Sequence, residues 1–394
     1  MPCVGLDTSA LDSQFKEHAA RGIGRYVREL KSYFETYPPP DLRVTFFDHK
    51  GVAPLPLAER VLDKFPAGKM TLKSQVLYPI RLGLSRKFGL DVLHFPAHMD
   101  APAWSPKRYI VTVLDMIPFV LEKLYRPERP SWRFALARWL EKCAIRNAAL
   151  VLVISENTAK DVNRILNISF DRIAVTPLGV DAKFFGVRWG EENLDLRRRY
   201  GIPAAAPVIL YVGGIDQRKN WAGLLEAFKG ARELRQHRNL EAPVLFMAGK
   251  IQGDRQFPKL METVKRLNLE PFVLMPGFIP EEDLLGLYGL SRVLCFLSYY
   301  EGFGLTPLEA MAAGLPVVSS NTSCMPEVLQ DAAILLGPDE TVQASQVLVA
   351  LLEREELARK YSEKGRKHAK KYSWTKTGEL TLDAYRRVLR GFYA

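Results

Sequence analysis

The chain has 394 residues, of which 47% are apolar, 25% charged and 10% aromatic. This composition is typical of a globular protein and excludes a disordered, collagen-like or coiled-coil chain. Because a single hydrophobic core stops growing near about 300 residues, we expect two domains. Residues 1–175 carry 26 Lys and Arg against 18 Asp and Glu. That excess indicates an anionic partner for the N-terminal half, either nucleic acid or an anionic membrane surface.

Three features predict the cellular compartment, and a fourth excludes one class of partner. The longest apolar runs, 148–154 and 293–297, are far shorter than the ~20 residues of a membrane span. The N-terminus has no basic-then-apolar leader, so we expect no secretion. The four cysteines stand far apart without a C-x-x-C pair, which predicts a cytoplasmic protein with reduced thiols and no structural zinc. No RNA-binding aromatic motif or zinc-finger spacing is present, so no nucleic-acid partner is predicted.

One basic segment, residues 64–87, interleaves cations with apolar side chains. Its cations include Lys69, Lys73, Arg86 and Lys87. Two interpretations stay open. The segment can lie on the inner face of a membrane, with Phe65, Leu77 or Ile80 partly inserted, or it can be an ordinary solvated helix.

Short apolar runs alternate with longer helical patterns in chain order. The first half predicts strands at Val4–Leu6, Val44–Phe47, Val92–Phe95, Tyr109–Val113 and Leu150–Ile154, with helices at Gly24–Phe34 and Trp132–Asn147. The second half predicts strands at Val208–Val212, Val244–Ala248, Phe272–Met275, Val293–Leu297 and Val317–Ser319, each followed by a helix. Such alternation is typical of parallel sheets covered by helices on both faces. We therefore expect two Rossmann-like domains, joined near Val175–Gly186.

Ligands of such sheets bind beyond the carboxyl ends of the strands, so a cleft between the two halves is the expected site. The loop after the predicted strand Val293–Leu297 carries Gly302 and Gly304, which let the backbone approach a ligand closely. A helix is expected to begin directly after it. The free amides and partial positive charge of that helix start suit a phosphate group.

Two carboxylates, Glu301 and Glu309, flank this phosphate site. A carboxylate in that position suits hydroxyls that donate to it, as on sugars. Glu309 also has a structural interpretation, because Thr306 as N-cap, Pro307 as the first helical residue and Glu309 three residues after the cap fit a capping box. Glu301 has no such alternative.

Two further glycine loops are candidates. Gly213 and Gly214 follow the predicted strand Val208–Val212, and the adjacent cations Arg218 and Lys219 then suit a diphosphate. The loop 21–26 has the pattern G-x-G at positions 22 and 24, which alone is weak evidence. Position 27 is Val, so the pattern is not G-x-G-x-x-G and no dinucleotide cofactor is indicated.

These motifs together resemble the retaining glycosyltransferases of family 4, which have the GT-B fold. The resemblance rests on EGFGLTPLEAMAAGLPVVSSNTSCMPEV (301–328), VGGIDQRKN (212–220), GIGRY (22–26), VISENTAKDV (153–162), VTPLGVD (175–181) and SWTKTGELTLDAYRRVL (373–389). It covers nearly the whole chain, and the E-x7-E region is its most specific part. It implies two Rossmann-like domains facing each other, with a C-terminal helix crossing back to the first. The expected divisions are residues 1–180 for the acceptor, 181–372 for the nucleotide sugar and 373–394 for that helix.

The resemblance also implies roles for individual residues. Glu301 would hold hydroxyls of the donor sugar and Glu309 those of the ribose, while Arg218 and Lys219 would neutralise the diphosphate. The remaining donor-binding positions are the backbone amides of Gly302, Phe303, Gly304 and Leu305, the loop residues Gly213 and Gly214, and Gly22 and Gly24, which would let the first domain close over the donor.

This chain departs from the family pattern at several positions. Many relatives have Arg where this chain has Gly214, which places more of the diphosphate charge on Arg218. Many also have His-Asp where this chain has Leu114-Asp115, so the role of that His is absent and Asp115 remains as a catalytic candidate. His94 and His98 either line the acceptor side or are buried histidines with satisfied hydrogen bonds.

Within the family, the motifs look like those of bacterial mannosyltransferases that assemble surface polysaccharides. The resemblance therefore implies GDP-mannose as donor, a glycan or lipid-linked glycan as acceptor, front-face attack with retention, and no cofactor or metal ion. Three alternatives stay open: a UDP-sugar donor, a GT-B sugar-nucleotide epimerase, and a non-catalytic scaffold of a polysaccharide complex.

Overall fold

A computed structural model describes residues 1–12, 22–50, 55, 75, 77–84, 89–125, 132–191 and 193–391. The chain forms two compact units, one made of Met1–Leu178 with Trp374–Ala394 and the other of Gly179–Ser373. The acceptor and donor roles assigned to the two halves stay predictions. Within the described ranges, no helix has both the length and the apolar character of a membrane span.

Each unit is built on one parallel six-stranded sheet. The strands of the first unit are β1 (Cys3–Asp7), β2 (Arg43–Phe47), β3 (Val92–Phe95), β4 (Arg108–Val113), β5 (Leu150–Val153) and β6 (Ile173–Val175). Those of the second are β7 (Val208–Val212), β8 (Val244–Ala248), β9 (Val273–Gly277), β10 (Val293–Phe296), β11 (Val317–Ser320) and β12 (Ile334–Leu336). The predicted strands are confirmed within two residues at each end. The sequence did not predict β6 and β12, which are only three residues long.

Helices connect the strands and cover the sheets. In chain order they are α1 (Gly22–Thr36), α2 (Tyr78–Leu84), α3 (Ile117–Val120), α4 (Glu122–Tyr125), α5 (Trp132–Arg146), α6 (Glu156–Leu166), α7 (Ala182–Phe185), α8 (Leu194–Arg199), α9 (Trp221–His237), α10 (Phe257–Arg266), α11 (Glu281–Leu290), α12 (Leu305–Ala312), α13 (Met325–Leu329), α14 (Thr341–Glu353), α15 (Glu355–Ala369) and α16 (Trp374–Arg390).

The last helix, α16, belongs to the first unit although the chain has passed through the second. Tyr385 is fully buried on this helix, and its ring stacks on Phe34 of α1 with centroids 5.4 Å apart. Near the start of α16, the Thr377 hydroxyl donates to the Pro177 carbonyl at 2.6 Å. These contacts secure α16 to the first unit, as the resemblance implied.

The strand orders show where ligands are expected. The first sheet has the order β2-β1-β3-β4-β5-β6, and the second has β12-β11-β10-β7-β8-β9. The second is the doubly wound order of dinucleotide-binding folds, in which the winding direction reverses between the first and fourth strands. Here those strands are β7 and β10, which pair directly. The loops after β7 and β10 therefore border the crevice in which such sheets bind ligands.

Most of the basic segment 64–87 lies outside the described residues. Two of the apolar residues predicted to insert into a membrane, Leu77 and Ile80, are described. Arg21, the first residue of the predicted glycine loop, also lies outside the described residues. Leu77 is 4% exposed, so its predicted insertion into a membrane is wrong, whereas Ile80 is 39% exposed. The same segment therefore contributes both to the core and to the surface.

Candidate active site

The loop after β7 begins with a close backbone contact. The amide of Gly213 donates to the Ala248 carbonyl of β8 at 2.9 Å. A Cβ at Gly249 would lie 2.3 Å from the Gly213 carbonyl oxygen, so position 249 must be glycine. This contact fixes the loop that continues through Gly214, and the Asp216 side chain then accepts from the Arg218 amide at 3.0 Å. The two cations that follow are thereby held at the carboxyl end of the sheet.

The loop after β10 is anchored through the backbone of Glu301. Its amide donates to the Ser323 hydroxyl at 3.1 Å, and its carbonyl accepts from the same hydroxyl at 2.5 Å. The Cys324 thiol also donates to this carbonyl at 3.2 Å. Glu301 is 8% exposed. Its position is therefore set by the segment after β11, which the sequence had not indicated.

The two loops meet in one buried charge cluster. Oε1 of Glu301 lies 2.6 Å from Nζ of Lys219, and Oε2 lies 2.8 Å from Nη1 of Arg218. Arg218 also donates from Nη1 to the Tyr300 carbonyl at 2.8 Å, and Nζ of Lys219 lies 4.8 Å from the ring centroid of Phe296. The cluster brings together Glu301, Arg218 and Lys219, for which the resemblance implied contacts with the donor. These three side chains have a net formal charge of +1, and the Asp216 carboxylate lies 3.9 Å from Nε of Arg218.

Burial and mutual attraction shift the pKa values in this cluster. Burial raises the pKa of Glu301, but the charges of Lys219 and Arg218 lower it by more, so its pKa lies below the usual range. Burial lowers the pKa of Lys219, and the attraction of Glu301 does not fully offset that effect because Arg218 also repels the ammonium. A further anion at this site would favour the charged lysine.

The helix start after Gly304 differs from the prediction. Helix α12 begins at Leu305, and its N-cap is Gly304 with φ +91°. Such a φ favours glycine, and a Cβ there would also lie 2.7 Å from Cε of Met325. Thr306 is therefore inside the helix and makes no capping bond, so the predicted capping box is wrong. Pro307 takes the third helical position, where its missing N–H has no intrahelical partner to lose.

Glu309 consequently has no capping role. It occupies the fifth position of α12 and is 6% exposed. The Tyr288 hydroxyl donates to its Oε2 at 3.5 Å. The capping interpretation of Glu309 is therefore excluded, while its binding of ribose hydroxyls stays a prediction. The ring of Phe303, next to the N-cap, packs edge-on against Tyr372 with centroids 5.8 Å apart, so only its backbone is suited to a donor.

The glycines of the first unit lie in a helix. Gly22 is the first residue of α1 and Gly24 is in its first turn. Residues 22–26 of the predicted loop 21–26 are therefore helical, two residues earlier than the predicted helix start at Gly24, and the role of the two glycines in donor binding stays a prediction. The physical reason is that α1 extends its amphipathic pattern back to residue 22, and Gly24 and Tyr26 are buried there. Asp115 follows β4, and its Oδ1 accepts from the Ile117 amide at 3.0 Å.

His94 is a structural residue. It is fully buried in β3, with Nδ1 at 2.7 Å from the Tyr385 hydroxyl and Nε2 at 2.8 Å from the Thr112 hydroxyl. Burial lowers the pKa of His94 to about 3. Both ring nitrogens are occupied and the ring is neutral, so the predicted role of His94 on the acceptor side is wrong.

His98 is also buried, but in a charged environment. Its Nε2 lies 2.8 Å from Oε1 of Glu141, and Oε2 of Glu141 lies 2.6 Å from Nη1 of Arg138. Burial lowers the pKa of His98, but the Glu141 charge raises it by more, with a further contribution from Asp115. The acceptor role of His98 stays a prediction.

Sequence reasoning missed Asp7, the last residue of β1. Its Oδ1 accepts from the amide and the hydroxyl of Ser9 at 2.9 and 2.6 Å. Burial, aided by the nearby Asp100 charge, raises the pKa of Asp7 to about 7 despite these bonds. Asp7 ends the strand at which the first sheet reverses its winding, so it borders the expected ligand crevice of that sheet. The sequence did contain a signal for this site, because Asp7 is a carboxylate directly after the predicted strand Val4–Leu6.

The second unit also exposes an aromatic side chain at the same edge of its sheet. Phe278 follows β9 and is 70% exposed.

Among the described residues, no group of three or more His, Cys, Asp or Glu side chains is arranged to hold a metal ion. The described cysteines, all four, are unpaired by disulfides.

Comparison with known proteins identifies the family. Residues 20–184 match the family model described as Glycosyltransferase Family 4, and residues 193–368 match the model described as Glycosyl transferases group 1. The two matches together span most of the chain. The protein therefore belongs to the family 4 glycosyltransferases, and its fold is GT-B with two Rossmann-like domains, which confirms the resemblance found in the sequence.

Individual relatives agree with this assignment. The chain is 29% identical over 283 residues to O-antigen chain mannosyltransferase B of Escherichia coli, a match that covers 71% of this chain and 70% of that protein. It is 26% identical over 304 residues to the serotype-specific mannosyltransferase WbdA of Escherichia coli, covering 75% of this chain but 36% of that longer protein. Among solved structures, sucrose-phosphate synthase from Thermosynechococcus elongatus superposes with a TM-score of 0.70 at 19% identity, covering 99% of this chain and 100% of that one.

Proposed function

We propose that this glycosyltransferase moves a mannosyl group from GDP-mannose to a hydroxyl of a glycan or lipid-linked glycan, with retention of the anomeric configuration. The observation that carries the proposal is the buried cluster of Glu301, Arg218 and Lys219, where the winding of the second sheet reverses. The mannosyl group is supported by the names of the two Escherichia coli relatives. The guanine nucleotide of the donor is supported by the resemblance of the RKN, EGFGLTPLEAM and GIGRY motifs to those of mannosyltransferases.

Donor binding follows from the charges of the cluster. A diphosphate adds negative charge to a cluster of net charge +1, and Arg218 and Lys219 are its natural partners. The N–H groups of Leu305 and Thr306 at the start of α12 have no intrahelical acceptor and are available to a phosphate. Glu301 uses one lone pair on each oxygen for the cations and retains others for donor hydroxyls.

The chemical step needs little more than these charges. The bond from the anomeric carbon to the diphosphate oxygen breaks while the acceptor oxygen bonds to the same face of that carbon. The acceptor proton passes to the departing phosphate oxygen. The charge that develops on the leaving group is stabilised by Lys219, Arg218 and the start of α12, which are already in place before reaction. In this proposal the two cations do the work that a divalent metal does in other transferases, and no cofactor takes part.

Acceptor recognition is proposed for the first unit. Asp115 and His98 lie beyond the carboxyl ends of β4 and β3, where a parallel sheet places its ligands. Asp115 presents a carboxylate to which an acceptor hydroxyl can donate, and its charge is one of those that raise the pKa of His98. The basic excess of residues 1–175 further supports peripheral docking on an anionic membrane, which would bring the enzyme to a lipid-linked acceptor.

The proposal is tested by incubating the protein with GDP-mannose, and in parallel with UDP-glucose and UDP-galactose, in the presence of a mannosylated lipid-linked acceptor. We expect transfer from GDP-mannose, an α-anomeric product by NMR and unchanged turnover in EDTA. Isomerised nucleotide sugar formed without acceptor would instead identify an epimerase. Absence of both transfer and isomerisation, with donor bound, would identify a scaffold. Inverted product, or loss of activity in EDTA, would contradict the mechanism.

Membrane docking is tested separately by co-sedimentation with vesicles. We expect binding to vesicles that contain anionic lipid, and we expect salt to reverse it because the attraction is electrostatic. The four substitutions Lys69→Glu, Lys73→Glu, Arg86→Glu and Lys87→Glu together should abolish it. Equal binding to neutral vesicles would contradict the proposal.

A further inference from the structure

A cavity in the first unit is lined by residues other than those of the candidate active site. Its volume is about 770 Å³. Arg108, which lines it, is the first residue of β4, whereas Asp115 follows the other end of the same strand. Arg172, also in the lining, directly precedes β6. The cavity therefore opens at the amino ends of these strands, on the edge of the sheet opposite to Asp115.

The charge of this cavity is of one sign. Its described lining residues include the cations Lys107, Arg108 and Arg172, and no carboxylate is among them. Three cations around one concave surface raise the local concentration of anions. A ligand for this cavity should therefore carry a negative charge.

Backbone carbonyls hold these cations in place. Nη2 of Arg172 donates to the carbonyls of Arg146 and Ala148 at 2.7 and 2.5 Å. Nη1 of Arg108 donates to the Gly391 carbonyl at 3.0 Å, and the Lys107 ammonium donates to the Leu90 carbonyl. Each of these carbonyl contacts restricts the position of a cationic side chain. The three heads are thus preorganised, which lowers the entropy that a ligand must lose on binding.

The cavity also offers groups suited to a sugar. Trp104 is 44% exposed at its wall, and an indole face stacks on the apolar face of a pyranose ring. Asn147 donates from Nδ2 to the Ala103 carbonyl at 2.8 Å, which orients its amide and leaves Oδ1 as an acceptor for a hydroxyl. An aromatic face, an oriented amide and a cationic group are the usual components of a small-ligand site, and the volume lies in the range of such sites.

We propose that this cavity binds a phosphorylated saccharide, with its phosphate at Lys107, Arg108 and Arg172 and its sugar ring against Trp104. The site is separate from the cluster of Glu301, so the proposal does not rest on the donor chemistry proposed above. The same phosphosugar chemistry occurs on soluble sugar phosphates and on sugars linked through phosphate to a lipid.

The test is a calorimetric titration with mannose 1-phosphate and mannose 6-phosphate, compared with mannose and with inorganic phosphate. We expect at least one sugar phosphate to bind about tenfold more tightly than either mannose or phosphate alone, because both halves of the site then contribute. Arg108→Gln and Trp104→Ala should each weaken that binding by about tenfold. These residues are chosen over Arg172, whose contacts fasten the end of α5. Lys160→Gln, an exposed charge change in the same unit, is the matched control and should have no effect.

Three results would overturn the proposal. Inorganic phosphate binding as tightly as the sugar phosphates would mean that no sugar is recognised. Binding lost in Lys219→Ala but kept in Arg108→Gln and Trp104→Ala would place the ligand in the second unit. Binding to anionic phospholipid vesicles that Arg108→Gln abolishes, with no affinity for either sugar phosphate, would assign the cavity to a membrane surface. If the sugar phosphates bind, the titration is repeated with vesicles that carry a sugar-phosphate lipid. Displacement of the sugar phosphate by these vesicles would identify a lipid-linked ligand, and no displacement would identify a soluble one.

Discussion

Oε1 of Glu301 lies 2.6 Å from Nζ of Lys219, with 10% and 14% of the two side chains exposed. The residues come from loops after different strands, and they meet because β10 pairs with β7 in the second sheet. A buried carboxylate that holds a buried ammonium keeps it charged and oriented before any substrate arrives. Under the proposed function, an incoming diphosphate would engage Lys219 without a further rearrangement of its side chain.

Replacing Lys219 with alanine should lower kcat by about 100-fold or more, because its charge contributes most as the diphosphate departs. The measurement is steady-state transfer from GDP-mannose. Lys229→Ala is the matched control, since Lys229 lies in the same unit and makes only a half-exposed contact with Glu233 at 3.6 Å. A kcat of Lys219→Ala within a few-fold of the wild-type value would remove Lys219 from the mechanism.

Replacing Glu301 with glutamine should destabilise the second unit. The change leaves Arg218 and Lys219 buried without their carboxylate, which costs about 3 kcal/mol. In a unit of this size that corresponds to a fall of roughly 6 to 12 °C in melting temperature. Glu233→Gln, an exposed control, should change it by less than about 2 °C. Equal melting temperatures for the two variants would show that the ion pairs contribute nothing to stability.

Glu309→Gln separates donor binding from helix capping. Since Glu309 lies within α12 and does not cap it, the variant should keep its melting temperature, and the KM for the donor should rise by about tenfold as a charge-assisted hydrogen bond to ribose is lost. Tyr288→Phe removes only the hydroxyl that contacts Glu309 and should have a smaller effect on KM. A lower melting temperature with unchanged KM would return Glu309 to a structural role.

Asp7 should make the stability of the first unit depend on pH. Its pKa is about 7 in the folded protein and near its ordinary value of 3.8 when unfolded. The folded state therefore retains a proton that the unfolded state releases, so the stabilisation is complete below about pH 4 and is lost as the pH rises to 7. The unfolding free energy of wild type relative to Asp7→Asn should fall by about 4 kcal/mol over that range. A difference that does not change with pH would show that Asp7 is ionised throughout.

The strands were predictable because each is a short apolar run, and β7 and β8 have the predicted bounds. The exceptions, β6 and β12, are three-residue strands at the edges of their sheets, and a run that short has no detectable period. The boundary of α12 was missed for a different reason. The residues Thr306 to Glu309 satisfy the capping pattern, but Gly304 adopts a left-handed conformation and the helix starts there instead.

The candidate site was predictable by residue type but not by contact. The motifs named Glu301, Arg218 and Lys219 as separate partners of a donor. Their mutual ion pairs depend on which strands are neighbours, and hydrophobic periodicity does not contain the strand order. His94 was ambiguous for the same reason, because its partner Tyr385 comes from the last helix of the chain. Asp7 was missed because its pKa is raised by burial at the end of β1, and the sequence pattern does not show how deeply a strand end is buried.

The donor and its site are tested together by a calorimetric titration of wild type and Lys219→Ala with GDP-mannose, GDP and UDP-glucose. We expect GDP-mannose to bind wild type at least about tenfold more tightly than UDP-glucose does. We also expect Lys219→Ala to weaken the binding of both GDP ligands by about tenfold or more, because each presents its diphosphate to the same cation. Tighter binding of UDP-glucose would contradict the proposed donor, and equal affinity of GDP for the two proteins would contradict the site.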